Sequence, residues 1–328
     1  GYPAIIDGRL IQGGDQQGFP NNRQFIGGEV IPGAQPNVVV QGGGIYVHGY
    51  GRNLRITNNL IQSNGGAYGG AIRLGTPHIY DDPSSRNEGV VISHIRILAN
   101  GGSNLAGAIA LFNGSDNYEI AHNDICGNSS IEYGGGISHY GYSPNGSIHH
   151  NRIYFNSSYD EGGGVMIAGE LQANPATLSP GAGPVDVYNN LIYSNLANDD
   201  DGGLRFLMAG DYVYNVYNNM IVGNVSTHEG GGISLNDAPS VRVVNNTLMK
   251  NITTARRSSS AARGIASGWH RSGWGRISSS SLPAPSTRWR TPSSWASRRG
   301  PGCPAATSTP SPPCRASRPS PPSSSSPP

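Results

Sequence analysis

Along residues 42–254 the apolar positions fall into short runs of period two, interrupted by asparagines and glycines. NDICGNSSIEYGGG (123–136), NRIYFNSSYDEGGG (151–164), NLIYSNLANDDDGG (190–203) and NMIVGNVSTHEGGG (219–232) are successive versions of one phrase. Aligned on their second Asn, seven copies appear, at Asn64, Asn100, Asn128, Asn156, Asn195, Asn224 and Asn251. Three residues earlier stands Ile61, Ile97, Ile125, Ile153, Ile192, Ile221 or Leu248; eight earlier stands Ile56, Ile92, Ile120, Ile148, Val187, Val216 or Val243. Five earlier stands Asn59, Asn123, Asn151, Asn190, Asn219 or Asn246, with Ile95 the exception. A further aliphatic column follows the glycines, from Ile45, Ile72, Ile109 and Ile137 to Val165, Leu204 and Ile233. The copies recur every 27–29 residues, apart from two longer intervals that carry insertions. A period in this range marks a repeat architecture.

Segments of three to five residues cannot bury a core alone, but stacked copies can. Equivalent residues then lie about 4.8 Å apart, the spacing of hydrogen-bonded strands. Identical aliphatics stack inside, identical Asn side chains form ladders, and the glycines fill a column of positive φ or close packing. The pattern predicts an all-β chain: a single-stranded right-handed parallel β-helix, or solenoid, of about 8–9 coils, its hand set by the general rule for parallel crossovers. Residues 42–254 are the regular coils. Residues 1–41, with PAIIDGRLIQGG and NVVVQ, read as degenerate N-terminal coils around a loop at 13–36.

Composition divides the chain again. All 20 Asp and Glu lie between Asp7 and Asp237, with ten Arg and Lys250 among them, so residues 1–251 carry a net charge near −9. Residues 255–328 contain Arg but no acid, and run in Ser, Pro, Arg and Ala with isolated Trp269, Trp274, Trp289 and Trp295. The overall +2 is an average of two unlike segments and carries no information about partners. Such a tail cannot bury enough apolar area to fold and predicts disorder; its abrupt onset also fits translation in a shifted frame. No apolar run nears eighteen residues, so no membrane span is expected. The chain starts at Gly1 with neither Met nor a signal-like stretch, as a fragment or a mature product does. Cys126, Cys303 and Cys314 are too few for a disulfide framework or a zinc site.

The paired GG[AG]I and IxxN signatures over residues 1–254 resemble the right-handed β-helix repeats of the pectate-lyase-like superfamily and those of polymorphic outer-membrane proteins. The resemblance implies an extracellular or cell-surface protein that meets polysaccharide or surface glycan. It implies fold more than activity, since this fold hosts lyases, hydrolases, epimerases, tailspikes and adhesins. The sharper enzyme signatures are absent: of NTD, DD, GHG and RIK only a bare DD remains, at Asp199–Asp201.

Three features offer chemistry. Acids precede the glycines in successive copies: Glu132, then Asp160 and Glu161, then Asp199, Asp200 and Asp201, then Glu229 beside His228. Stacked about 5 or 10 Å apart, Asp160, Glu161, Asp199, Asp200, Asp201 and Glu229 would suit Ca²⁺, and Glu161 and Asp200 an acid pair of glycosidase spacing; a solvated acidic turn is the plain alternative. After the glycines, residues next to the inward Ile column are expected to face outward, among them Arg73 and Arg205. In pectate lyases, which the repeats resemble, an Arg is proposed as the base that attacks the sugar, and Arg205 is the position that would carry this role; a surface salt bridge to Asp200 or Asp201 is its bland reading. The insertions at 75–89 and 169–184 leave one corner and would wall a cleft holding Phe112, His139, Tyr140 and Tyr142, which with Arg73 would bind substrate. Finally, His94, His122 and His150 share a column that holds Asn58, Asn189, Asn218 and Asn245 in other copies. Three stacked imidazoles would bind a transition metal, although replacement within a hydrogen-bonding corner is the simpler account.

Two functions of different class follow: a polysaccharide lyase or glycoside hydrolase using the acidic turns, or a non-enzymatic adhesin-like or spacer module. Self-association through exposed ends of the stack accompanies either. Nucleotide or nucleic-acid binding is not expected, because the glycine runs recur in every copy and open no helix.

Overall fold

The computed structural model describes residues 3–14, 43–75, 83–170 and 178–254. All of them belong to the first of the two units into which the chain divides, Gly1–Gly275. The expected disordered tail at 255–328, most of the loop at 13–36, and the central parts of both insertions lie outside the described residues.

What is described is nearly all β. Each repeat contributes one short strand to each of four parallel sheets, of eight, eight, seven and seven strands among the described residues. One repeat shows the plan: Gly146–His149 in the first sheet, Arg152–Tyr154 in the second, Ser157–Ser158 in the third and Val165–Ala168 in the fourth. Each pairs with its equivalents in the preceding and following repeats, so sheet order follows repeat order. The first strands, Ile5–Asp7 and Leu10–Gln12, pair in the same register with Arg55–Thr57 and Leu60–Gln62, although 50 residues intervene.

The expected columns are superposed. In the first sheet Ile56, Ile92, Ile120, Ile148, Val187, Val216 and Val243 are successive register partners. In the second the column runs from Ile11 through Ile61 and Ile97 to Leu248, and in the fourth from Ile45 to Ile233. Through the middle repeats these side chains are fully buried in one core cluster, with Ile11 and Ile233 partly buried against it, while Val243 and Leu248 in the last described repeat are exposed. Each buried aliphatic stabilises the fold by roughly 1.5–3 kcal/mol, a gain open to it only because a neighbour covers it.

Asparagine makes the corners. In the ladder between the second and third sheets, Asn128 donates through Nδ2 to Asn156 Oδ1 at 2.9 Å, Asn156 to Asn195 at 3.1 Å and Asn195 to Asn224 at 3.0 Å. Each Oδ1 also accepts the backbone N–H of the preceding Asn, and each amide also donates to a backbone carbonyl. A second ladder runs between the first and second sheets through Asn123, Asn151, Asn190, Asn219 and Asn246. Ile95 interrupts it, and its backbone N–H still donates to Asn123 Oδ1. The residue before each ladder Asn takes a left-handed φ near 55°: Asn58, His94, His122, His150, Asn189, Asn218 and Asn245 in one corner. Asn and His are enriched in that region, which gives the His/Asn alternation in this column a conformational cause. Asn128, Asn156, Asn224 and Asn251 match the glycosylation pattern, but the amide nitrogen that would carry a sugar is hydrogen-bonded within the ladder in all four.

The fourth sheet departs from expectation. Its second face, expected outward, is buried: Arg73, Ala110, Ser138, Met166, Arg205 and Ser234 are all covered. The segment entering each fourth-sheet strand lies over that strand's outer side. At Gly134 and Gly162 it has φ of 70° and 69°, and an added Cβ would sit 2.9 Å from the Cβ of Ser138 or Met166. Tyr68, Leu105 and Phe112 with Tyr133 and Tyr140 then form a second apolar cluster outside the sheet. A parallel sheet covered on both faces reads as near-continuous apolar sequence, as VMIA (165–168) and LRFL (204–207) do.

Candidate functional site

The turns that lead into the fourth sheet hold the acids, in two columns. Counting from the third-sheet partners Ser130, Ser158, Ala197 and Ser226, an outer column contains Glu132, Asp160, Asp199 and His228. The inner one contains Tyr133, Glu161, Asp200 and Glu229, and Tyr133 and Glu161 are bridged directly. Asp201 occupies the next column, which is glycine in the neighbouring repeats (Gly134, Gly162, Gly230), at φ 58°.

Arg205 is the centre of this arrangement. It leaves the fourth-sheet strand toward the acidic turn, is only 2% exposed, and donates through Nε to Glu161 Oε2 at 3.0 Å. Its NH2 lies 3.0 Å from Asp200 Oδ2, and its NH1 donates to Ser234 Oγ. The expected surface salt bridge is thus a buried one, to Glu161 and Asp200. Asp200 also accepts from His228 Nδ1 at 2.9 Å and from the Glu229 backbone N–H at 3.1 Å. That contact holds the His228 imidazole above its usual pKa, with Asp199 and Glu229 adding to the effect.

Burial governs the acids. It pushes the Glu161 carboxyl up to about 7, against the opposing pull of Arg205. Burial and the neighbouring Asp199 and Asp200 raise Asp160, and burial with Asp160 raises Glu132. Asp201 is enclosed, its Oδ1 accepts the Gly203 N–H at 3.1 Å, and burial lifts its carboxyl far above the carboxylate range.

These facts decide what the cluster can do. The Arg205 guanidinium is clamped between two carboxylates and Ser234. The six residues expected to bind Ca²⁺ are engaged in different ways. Arg205 already supplies the counter-charge for Glu161 and Asp200, Asp201 is turned inward, and Asp199 and Asp200 converge with an imidazole, His228.

The expected cleft residues separate in the same way. Arg73 is fully buried, its guanidinium 4.7–5.0 Å from the ring centres of Tyr46, Tyr68 and Phe112. Phe112 is part of this cage and is covered. His139 is fully buried, bonded to Tyr118 Oη and the Gly141 carbonyl at 2.9 Å each, and burial lowers its pKa to about 4. It is a satisfied core histidine. Tyr140 is half-buried against Phe112 and Tyr133. Tyr142 is exposed, with its ring 5.7 Å from that of Tyr212. Of the five, only Tyr140 and Tyr142 reach the surface.

The sequence reading missed Ser234 and gave His228 no role, although both recur at the register positions of Arg205 and Asp199. It also passed over aromatic stacks on the outer faces of the first two sheets. Tyr154 lies parallel to Tyr193 at 4.8 Å, and His149, Tyr188 and Tyr217 follow one another at 4.6 and 4.9 Å. Their recurrence at one position per repeat was the available signal. Comparison with known protein families, with curated proteins and with solved structures finds no match in any of the three. The superfamily resemblance therefore rests on the repeat signatures alone.

Proposed function

We propose that the four sheets are the faces of one right-handed parallel β-helix, each repeat forming a single coil, and that the protein is a non-enzymatic, extracellular or cell-surface module that binds polysaccharide. The hand follows from the rule for parallel crossovers. The observation that carries the non-enzymatic reading is the closure of Arg205 by Glu161, Asp200 and Ser234: this guanidinium, only 2% exposed, has no face left for a uronate. Glycan contact is assigned to the corner that presents Tyr140 and Tyr142, whose rings supply the apolar faces that sugars pack against. The last repeat leaves Val243, Val244, Leu248, Met249 and Ile252 exposed, and it is the proposed surface for self-association.

Incubation of the full chain with uronic-acid polymers, following both retention on immobilised polymer and the ultraviolet absorbance of unsaturated products, tests the reading. Retention without product, weakened by Tyr142→Ala, is expected. Product formation that disappears in Glu161→Gln would replace this reading with a lyase or hydrolase. The half-buried Glu161 carboxyl, titrating near neutrality, is the observation that favours that second reading.

A further inference from the structure

Away from the acidic turns, a second cluster of titratable side chains forms where the first sheet passes into the second. His149 ends the strand Gly146–His149, and His150 follows at φ 54°. The left-handed residue turns the chain so that two consecutive imidazoles converge, Nδ1 to Nδ1 at 2.9 Å. His122, one repeat earlier, stacks on His150 with ring centres 4.9 Å apart. One ligand nitrogen from each of His122, His149 and His150 lies within 4.8 Å of the other two. We propose that His122, His149 and His150, supported by Glu119, form a binding site for a divalent transition-metal ion of the Cu²⁺ or Ni²⁺ type.

The left-handed corner accounts for His122 and His150, as it does for the asparagines in the same column. It does not account for His149, which sits on the strand in a column otherwise filled by Asp7, Thr57, Ser93, Ala121, Tyr188, Tyr217 and Val244. His149 Nε2 lies 3.3 Å from Glu119 Oε1. That contact keeps the hydrogen on Nε2 and turns the Nδ1 lone pair toward His150, the carboxylate–histidine arrangement that orients metal ligands. On the other side Asn189 Nδ2 approaches His150 Nε2 at 3.2 Å. One hydrogen then fills the gap between the two Nδ1 atoms. A bound ion takes its place: His150 changes tautomer, its hydrogen passing by way of solvent from Nδ1 to Nε2 with no net loss of a proton, while the Asn189 amide turns its oxygen to the new Nε2–H.

Distance selects the ion. Two nitrogens 2.9 Å apart, each about 2.0–2.1 Å from a shared metal, subtend about 90°. That is the angle of square-planar or tetragonal nitrogen sites, suited to Cu²⁺ or Ni²⁺, and not of tetrahedral Zn²⁺. His122 and His150 are exposed and line an open groove with His94, Arg96, Asp124 and Arg152, which gives an ion a path in.

The test is titration of the full chain with CuCl₂, read by calorimetry and by electron paramagnetic resonance of the bound ion. The substitutions use residues that the same columns already hold, so the corner keeps its conformation: His122→Asn and His150→Asn as at Asn189, and His149→Ser as at Ser93. The wild type is expected to bind one Cu²⁺ with nitrogen coupling from three imidazoles. Each single substitution should weaken binding about tenfold or more, and Glu119→Gln, acting through His149, by about tenfold. His228→Asn, in the acidic turns, should bind as the wild type does. Absence of saturable binding in the wild type, or unchanged affinity in the His122→Asn/His149→Ser/His150→Asn triple variant with its β circular dichroism intact, would overturn the site.

Discussion

Asn156 donates through Nδ2 to Asn195 Oδ1 at 3.1 Å although 39 residues separate them in sequence. The same contact between Asn128 and Asn156 spans 28 residues and measures 2.9 Å. An insertion of eleven residues is thus looped out without moving the ladder. Register in this molecule is held at the corners, and loop length is free to vary elsewhere.

Replacement of a mid-ladder Asn should be costly. In Asn156→Ala, the backbone N–H of Asn128 and the Ile125 carbonyl lose these side-chain partners, and the Asn128 side-chain amide keeps only its bonds to the Ile97 and Cys126 carbonyls. A buried polar group left unmet costs about 1–3 kcal/mol, so a loss of about 3–5 kcal/mol is expected in denaturant unfolding. Asn251→Ala, at the partly exposed end of the same ladder, should cost about 1 kcal/mol because water can substitute.

Glu161 should give the fold a pH dependence of unusual sign. In the unfolded chain its carboxyl ionises near 4.5, whereas burial holds the proton to about 7 in the folded chain. Its contribution is therefore full below pH 4.5 and is lost as pH rises through about 7. Relative to Glu161→Gln, the wild type should lose about 2–3 kcal/mol between pH 4 and pH 8. His139 runs the other way: its folded pKa is lowered to about 4, so its contribution is present above 6.5 and lost as pH falls toward 4. Unfolding curves of the Gln variant across this range separate the two.

Arg73 should not tolerate lysine. Its guanidinium lies within 5.0 Å of three ring centres and also donates to the Gly75 carbonyl at 3.1 Å. A planar, weakly hydrated cation stacks on aromatic faces where an ammonium does not. Arg73→Lys should lower stability by about 1–2 kcal/mol per mole in the same unfolding assay, and Tyr68→Leu in the Lys background should then cost less than it does alone.

The open end of the stack should drive association. Val243, Val244, Leu248 and Met249 are 41–52% exposed on the last described repeat, whereas Val216 and Ile221, the register partners of Val243 and Leu248 in the repeat before, are fully buried. Sedimentation of the full chain should show mass rising with concentration, and Val244→Lys/Met249→Lys should remain monomeric, since charge on an edge blocks pairing.

The aliphatic columns, the ladders and the strand order were legible in the sequence, because a 27–29-residue period leaves few ways to superpose Ile97, Ile125 and Ile153. The fourth sheet was misread for a physical reason. Period-two alternation was taken to mean one buried and one exposed face, but Gly134 and Gly162 let the chain fold back over that second face. Arg73 and Arg205 went inside with it, whereas His139, in register with Leu111 and Ile167, belongs to the inner face. The apolar residues at both parities in VMIA and LRFL were the signal. The convergence of His149 with His150 depends on a left-handed φ at one residue, and a column of like residues cannot display it.

The superposition of repeats is the claim on which the acidic cluster, the covered arginines and the histidine site all depend. It is tested most directly by distances between spin labels on the second sheet, at Gln62 paired with Tyr154 and at Gln62 paired with Val222. Three and five register steps separate these pairs, so the label sites should lie about 14 and about 24 Å apart, rising by about 4.8 Å per repeat. Distances that do not scale with the number of repeats crossed would contradict the account.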